Sequence, residues 1–139
     1  MKITDNKRLK EASVKEAKRH LMNAKTMLSE KAGKKDKFYT DAKYVKTACG
    51  IAYIGVLIII DAYIKIKGEK LSLKNTKRKS IDYYRQNLIN RDKILLNLLN
   101  NAYNVLHLNG YYEGELKVST INDGLRTLQE IITHFNKRC

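Results

Sequence analysis

The sequence predicts an all-α protein, an antiparallel up-down bundle of four helices. The 139 residues include no proline and only seven glycines, so helices can run without interruption. Apolar residues recur at intervals of three and four, which is the spacing of one helical face. Residues 48–64 form an apolar run in which Asp61 is the sole charge, as expected of a helix enclosed on all sides. We therefore predict a single domain over residues 1–139.

Helix one is predicted from about Asp5 to Lys31. It carries one apolar stripe at helical spacing, and Gly33 with the charged segment after it ends the helix. The stripe consists of Leu9, Ala12, Ala17, Leu21, Ala24 and Leu28. Such a stripe is typical of a helix that packs one face against a core and exposes the other.

Helix two is predicted to begin after Thr40 or Asp41, either of which can cap it, and to continue to Lys67 before Gly68. Its small residues line up in a narrow strip that would let another helix approach closely. The strip consists of Ala48, Ala52, Gly55 and Ala62. Cys49 lies within this helix and is interpreted as a small core residue, whereas Cys139 is interpreted as a free thiol at the chain end.

The apolar run of helix two has a membrane anchor as its alternative interpretation. A membrane-spanning helix needs about 20 apolar residues, and the run of seventeen carries Asp61 near one end. Lysines flank it equally on both sides, so no orientation is favoured. We predict the central helix of a soluble protein. Residues 1–19 are polar and lack the apolar region of a signal peptide, which predicts a cytoplasmic protein without membrane association.

Helix three is predicted to follow a basic connection over residues 68–79, which has no helical period. Ser80 is a candidate N-cap, and the periodic apolar positions extend to Asn109. About thirty residues is long for one helix, so a bend near Asn90 is expected.

Helix four is predicted after a turn bracketed by Gly110 and Gly114. Thr120 and Asp123 have the spacing of a capping box, and a periodic apolar stripe follows them. Short connections between four helices predict antiparallel neighbours.

The formal net charge of +14 is unevenly distributed along the chain. Residues 1–46 hold fourteen Lys or Arg against six acids, and residues 65–79 hold seven against one. In an up-down bundle the start of helix one, the connection after helix two and the C-terminus meet at one end, which predicts a polyanion-binding cluster. A merely solvated basic surface is the alternative. The cluster would consist of Lys7, Arg8, Lys10, Lys74, Lys77, Arg78, Lys79, Lys137 and Arg138.

Few residues have the spacing of a chemical site. Glu16 with His20 and Glu130 with His134 are each four apart on one helical face, which could suggest metal ligands. Di-metal bundles use a three-residue spacing and further inward Glu residues that are missing here, so we interpret both as surface pairs and predict no metal and no cofactor. Asp61 is expected to bind a Tyr hydroxyl or a cation of Lys65, Arg85 or Arg91, because an ionised carboxylate on an apolar helix needs a partner. A catalytic acid in a cleft is its alternative role.

Two long segments carry a resemblance to a known group of proteins. They are KYVKTACGIAYIGVLIIIDAYIKIKG at residues 43–68 and DYYRQNLINRDKILLNLLNNAYNVLHLNGYYEG at residues 82–114. With the Ala- and Leu-spaced helix before them, they resemble an uncharacterised bacterial branch of the HEPN superfamily of small helical bundles. The resemblance spans roughly residues 10–135. It implies a homodimer, and in many members a metal-independent ribonuclease whose Arg and His meet at the dimer interface.

The ribonuclease motif of the HEPN proteins is incomplete in this sequence. The segment that begins at Arg91 has Asn97 where the resemblance implies His, so the proton-transfer group is missing. Arg126 and His134 are one residue too far apart for the motif and are offset by about 80° around a helix.

The leading functional prediction is therefore a non-catalytic, dimeric interaction module that binds a protein partner or nucleic acid. The alternative is a ribonuclease of the toxin-antitoxin kind that uses Arg91, Arg126 and His134.

Overall fold

The computed structural model describes residues 3–68 and 79–139, and in these residues it confirms the all-α prediction. Five α-helices, two π-helical segments and one short hairpin follow each other along the chain. They are α1 (Ile3–Met27), π1 (Leu28–Ala32), β1 (Lys34–Lys35), β2 (Phe38–Tyr39), α2 (Ala42–Lys67), α3 (Ile81–Leu88), α4 (Lys93–Ala102), π2 (Tyr103–Tyr112) and α5 (Val118–Arg138). The antiparallel hairpin pairs Lys34 with Tyr39 and connects π1 to α2.

Helix α2 lies at the centre of the structure and packs against α1, π2 and α5. Gly55 marks a close crossing, since a Cβ there would lie 3.2 Å from His20 Cβ of α1 and from Leu128 Cδ2 of α5. The predicted strip of small residues is therefore a helix crossing. By length and composition alone α2 could span a membrane, but 56% of its most apolar eighteen-residue window is buried inside the protein.

The boundaries of α2 and the start of α3 agree with the predicted caps. Asp41 accepts a hydrogen bond from the Lys43 N–H at 3.1 Å, and Gly68 follows the helix with a φ of 84°, which favours glycine. Ser80 accepts from the Tyr83 N–H at 3.2 Å at the start of α3. These caps depend on residues close in sequence, which explains why local reasoning found them.

The predicted third helix is divided in two, so the described residues hold five α-helices where four were predicted. Helix α3 ends at Leu88, and α4 starts after Asp92, whose carboxylate accepts the Leu95 N–H at 2.9 Å. An Asp that caps the following turn adopts an extended backbone, and its φ of −154° interrupts the helix. The bend expected near Asn90 is thus a break. Beyond Ala102 the helix continues as the π-helical segment π2.

Helix α5 begins differently from the prediction. Its first residue is Val118, and the cap, Lys117, makes no side-chain cap hydrogen bond. The Val118 N–H donates instead to the Lys37 carbonyl of the hairpin at 3.0 Å, so the hairpin replaces the capping box predicted at Thr120. The turn predicted from Gly110 is also wrong, because Gly110 lies in π2 and packs against Cys49.

Candidate anion-binding site at one end of the helices

Two neighbouring cavities lie where the start of α1, the end of α2, the turn before α4 and the end of α5 meet. The first has a volume of about 390 Å³ and is lined by Tyr63, Lys67, Arg91, Asp92, Lys93, Ile94 and Arg138. The second has a volume of about 450 Å³ and is lined by Asn6, Lys7, Lys10, Ile66, Lys67, Arg138 and Cys139. Lys67 and Arg138 line both. We name the six cations of these walls the basic end: Lys7, Lys10, Lys67, Arg91, Lys93 and Arg138.

Each oxygen of the Asp92 carboxylate contacts another group of the protein. One oxygen, Oδ1, accepts the Leu95 N–H, and the other, Oδ2, lies 2.7 Å from Nε2 of His134 on α5. The side chains of Asp92 and His134 are only 9% and 14% exposed, so this contact ties α4 to α5 out of bulk water. Both oxygens of Asp92 therefore have a partner, and in the described residues Asp92 forms no ion pair with the neighbouring Arg91.

The guanidinium group of Arg91 has an unused donor. Its Nη1 is buried and has no hydrogen-bond partner in the described residues. Within the same residues, no ion pair involves Arg91, Lys67, Lys93 or Arg138. Arg91 and the three cations beside it therefore leave positive charge without a carboxylate partner at the first cavity, which suits an anion there.

Two ionisable groups, the Tyr63 hydroxyl and the Cys139 thiol, border the cavities. Burial raises the pKa of the Tyr63 hydroxyl, and the negative charge of Asp92 raises it further, while Arg91 and Arg138 act in the opposite direction. Burial also raises the pKa of the Cys139 thiol, against the influence of Lys67 and Lys10. Both groups are therefore neutral near pH 7 and can donate a hydrogen bond rather than repel an anion.

The nine residues of the predicted polyanion cluster have different positions. Lys7, Lys10 and Arg138 line the cavities, whereas Arg8 and Lys137 are exposed and line neither. Lys79 pairs with Asp61. The other three, Lys74, Lys77 and Arg78, lie outside the described residues.

Lys67, Arg91 and Lys93 are basic-end residues that the sequence analysis left out of its cluster. Each lies in or beside a helix terminus whose neighbours in space come from other parts of the chain. The sequence showed these cations only as part of a generally basic composition. Arg91 and Lys93 were expected inside one bent helix, and therefore not at a helix end beside the other cations.

The three residues of the ribonuclease interpretation do not meet in one place. Arg91 directly precedes Asp92 in the sequence, and Asp92 contacts His134. Arg126 is 66% exposed and pairs with Asp123 at 2.7 Å, within its own helix. The described residues contain no group of three or more His, Cys, Asp or Glu that could hold a metal ion. His20 contacts the Glu16 carbonyl at 2.9 Å, and His134 binds Asp92 rather than Glu130.

Asp61, the sole charge of the apolar run, has two partners. Lys79 contacts its Oδ1 at 2.7 Å, and the Tyr84 hydroxyl hydrogen-bonds to its carboxylate. Burial is the main cause of a raised Tyr84 pKa, and Asp61 adds to it. The predicted tyrosine partner is confirmed, while the cation is Lys79 rather than Lys65, Arg85 or Arg91.

A cluster of aromatic rings on π2 and α2 was not predicted. The His107 ring stacks on Tyr53 with centroids 4.7 Å apart, and it lies parallel to the Tyr111 ring within 3° at 6.1 Å. Tyr103 and Tyr112 complete the cluster. Burial lowers the pKa of His107, so its ring is neutral near pH 7. The four-residue spacing of Tyr103, His107 and Tyr111 was the signal that sequence reasoning could have used.

The fold and its cavities define a small all-α protein with a positively charged end and no recognisable catalytic centre in the described residues. The chain belongs to the family described as domain of unknown function DUF5618, whose model matches residues 12–137. It is similar to a solved structure of a protein of unknown function from Dyadobacter fermentans, with 37% identity and a TM-score of 0.80. That match covers 93% of this chain and 97% of the other. No curated protein matches. The HEPN resemblance rests on the sequence pattern and stays a prediction.

Proposed function

We propose that the protein is a non-catalytic module that binds nucleic acid through phosphates seated on the basic end. The observation that carries this proposal is that Arg91 lines a cavity with three further cations and forms no ion pair in the described residues, while its buried Nη1 has no hydrogen-bond partner there. Asp92, which also lines this cavity, contacts His134 and the Leu95 N–H and forms no ion pair with Arg91 in the described residues. A phosphate oxygen supplies the bidentate acceptor that a guanidinium group binds best.

A polyanion fits this end better than a single small anion. The two cavities share Lys67 and Arg138, so their cations form a continuous row that faces more than one phosphate. Each neutralised phosphate releases counterions, and the affinity for nucleic acid should then fall steeply with salt concentration. An acidic protein partner would meet the same cations but lacks the regular phosphate spacing.

The position of His134 supports a binding role rather than catalysis. General acid-base catalysis needs a group that reaches the reacting atom, and Nε2 of His134 already contacts Asp92 at 2.7 Å. The ring is also largely buried. Arg126, the other arginine of the ribonuclease interpretation, points to a different surface with its own acidic partner.

The test is fluorescence anisotropy of labelled RNA and DNA with the full chain at about 50 mM salt and at increasing salt. We expect binding by the wild type with a strong salt dependence, and at least a tenfold loss for Arg91→Met, which equals about 1.4 kcal/mol. Lys35→Met is the matched control, because it removes one charge from the exposed hairpin at the other end of α1. Equal losses in the two variants would reject the cavity as the site, and no binding at low salt would reject the function. Tighter binding of poly-glutamate than of RNA would favour an acidic protein partner.

A second candidate function is a metal-independent ribonuclease of the HEPN type. It would imply that the chain shares the four-helix topology of that superfamily. One observation favours it, namely that Asp92, which directly follows Arg91, contacts His134 at 2.7 Å. Incubation of pure protein with structured and unstructured RNA in chelator decides the question. Cleavage that is lost in His134→Gln and Arg91→Met while both variants keep their circular dichroism spectrum would establish an enzyme. Dependence on Arg126 would extend the site to that residue, and intact RNA supports the binding module.

A further inference from the structure

One face of α2 exposes apolar side chains although the rest of the helix is buried. Ile54 is 51% exposed, and Gly50, Ile51, Leu57 and Ile58 are half-buried around it. We name these five residues the α2 face. Residues 47–60 contain no charged side chain, so this surface is uncharged over about four helical turns.

The α2 face continues onto the π-helical segment beside it. The Tyr111 ring covers Gly50, where a Cβ would lie 3.1 Å from its Cδ1. Tyr111 and Tyr112 are 46% and 63% exposed. Exposed isoleucine and tyrosine side chains together form the kind of contiguous apolar surface that marks an interaction site.

The charge of the molecule indicates what covers this surface. The chain has a formal net charge of +14, so two copies repel each other wherever their basic surfaces meet. The α2 face is free of that repulsion. Asp61, near one end of the face, pairs with Lys79, so the charge of this carboxylate is balanced.

Single-stranded nucleic acid fits the aromatic part of this surface less well, since stacking platforms lie in positively charged grooves. The cation nearest the rings is Arg85, which lies over Tyr103 at 5.4 Å from the ring centroid. Its Nε donates to Asn100 at 2.7 Å and its Nη1 lies 3.7 Å from the Asp82 carboxylate, so this cation already has two polar partners.

We propose that the α2 face binds the α2 face of a second copy of this chain, with Tyr111 and Tyr112 at the rim. Ile54 lies at the middle of Ala42–Lys67, so a two-fold axis near Ile54 sets the two α2 helices antiparallel and pairs like with like. Lys43 and Lys65, the exposed cations at either end of the face, lie about 16 Å from that axis along the helix. An inclined crossing of about 50° separates them further from the partner's lysines. The sequence-based expectation of a homodimer named no surface, and this proposal is independent of the nucleic-acid function.

The experiment is sedimentation velocity and light scattering on the full chain over a range of concentrations. We expect a dimer for the wild type, a monomer for Ile54→Asp, and a dimer for the matched control Met22→Asp, since Met22 is also an exposed apolar residue, 62% exposed, but lies on α1. Because Ile54→Asp adds a charge on a central helix, its circular dichroism melt is recorded alongside. Ile54→Cys gives a second test that keeps the face apolar. It should form an intermolecular disulfide across the axis under mild oxidation, while Met22→Cys should not.

A wild-type monomer at about 100 µM, or equal dissociation of the Ile54 and Met22 variants, would overturn the proposal. The chain has no tryptophan, so tyrosine fluorescence reports on the rings directly. Quenching by a short oligonucleotide, together with a wild-type monomer, would assign the surface to base stacking instead.

Discussion

Asp61 and Asp92 each contact a side-chain nitrogen at 2.7 Å, but the two contacts have different effects on the positive charge around them. The side chain of Asp61 is 31% exposed and that of Asp92 is 9% exposed. The Asp61 carboxylate lies 2.7 Å from a nitrogen of Lys79, and the Asp92 carboxylate lies 2.7 Å from a nitrogen of His134. Asp61 takes Lys79 and the Tyr84 hydroxyl, which cancels a cation. Asp92 takes His134 and a backbone N–H, which leaves the cation next to it, Arg91, without a carboxylate partner.

The difference shows how a carboxylate can either neutralise a basic surface or preserve it. An acid that pairs with a lysine cancels one positive charge, and this is the case for the partly exposed Asp61 near the end of α2. An acid that is satisfied by a histidine and a helix N-terminus holds two helices together and leaves nearby arginine and lysine available. The positive charge of the basic end therefore depends on which partner each carboxylate has.

The largest expected effect is on stability when Asp92 is removed. Asp92→Ala deletes the N-cap of α4 and leaves the buried His134 nitrogen without its partner, which together should cost about 2 to 4 kcal/mol in the free energy of unfolding. Urea denaturation followed by circular dichroism measures this. Asp82→Ala serves as the control, because Asp82 is 84% exposed and should change stability by less than about 0.5 kcal/mol. A loss for Asp92→Ala as small as that of the control would mean that the His134 contact does not hold α4 to α5.

A smaller loss is expected at the other carboxylate. Asp61→Ala removes the partner of Lys79 and leaves the buried Tyr84 hydroxyl unsatisfied, so unfolding should be easier by about 1 to 2 kcal/mol. The same denaturation experiment measures it. Lys65→Ala is the control, since this exposed lysine lies one turn further along and has no ion pair in the described part of the chain. If Asp61→Ala costs more than Asp92→Ala, the ranking of the two sites is wrong.

The affinity for RNA should respond differently to removing the negative charge of Asp92 and that of Asp61. Asp92→Asn keeps a capping oxygen but removes the negative charge beside the first cavity, so RNA binding should tighten by about threefold to fivefold at low salt. Asp61→Asn should change it by less than about twofold, because neither Asp61 nor Lys79 lines a cavity. Anisotropy titrations at equal salt give both values. Equal tightening in the two variants would show that only net charge matters and that the cavity is not the site.

The smallest effect is the dependence of stability on alkaline pH through Tyr84. Its pKa in the folded protein is raised above the unfolded value of about 10, so its contribution is fully present below pH 10 and is lost as the pH rises toward the folded pKa. Tyr84→Phe should therefore lose less stability than the wild type between about pH 9 and 10.5. Urea unfolding at both pH values tests this, with the exposed Tyr112→Phe as control. A steeper loss in Tyr84→Phe would contradict the direction of the shift.

Sequence reasoning predicted what depends on neighbours along the chain. The all-α class, the caps Asp41 and Ser80, the end of α2 before Gly68 and a tyrosine partner for Asp61 follow from periodicity and local hydrogen bonding. The contact between Asp92 and His134 joins residues 42 apart, and no local pattern encodes such a pairing. The break at Asp92 was expected only as a bend. Its carboxylate caps α4 and also contacts His134 of α5, and the second contact could not be foreseen from neighbouring residues.

The candidate site was predicted in the same partial way. The convergence of chain segments at one end follows from helix order, and it led to Lys7, Lys10 and Arg138. The cavity around Arg91 depends on the turn between α3 and α4, whose geometry is set by packing against α5. The start of α5 was misplaced because the hairpin supplies a backbone acceptor that no side-chain motif reveals.

The π-helical segment has a consequence for how relatives of this chain are aligned. A π-helix closes its hydrogen bonds one residue later than an α-helix, so Tyr103–Tyr112 fits more residues into each turn than the α-helix before it. A relative with one residue fewer in this stretch would return to α-helical winding, and its rings would meet at a different spacing. The stacking of Tyr103, His107 and Tyr111 therefore depends on the length of the stretch as well as on the identity of each ring.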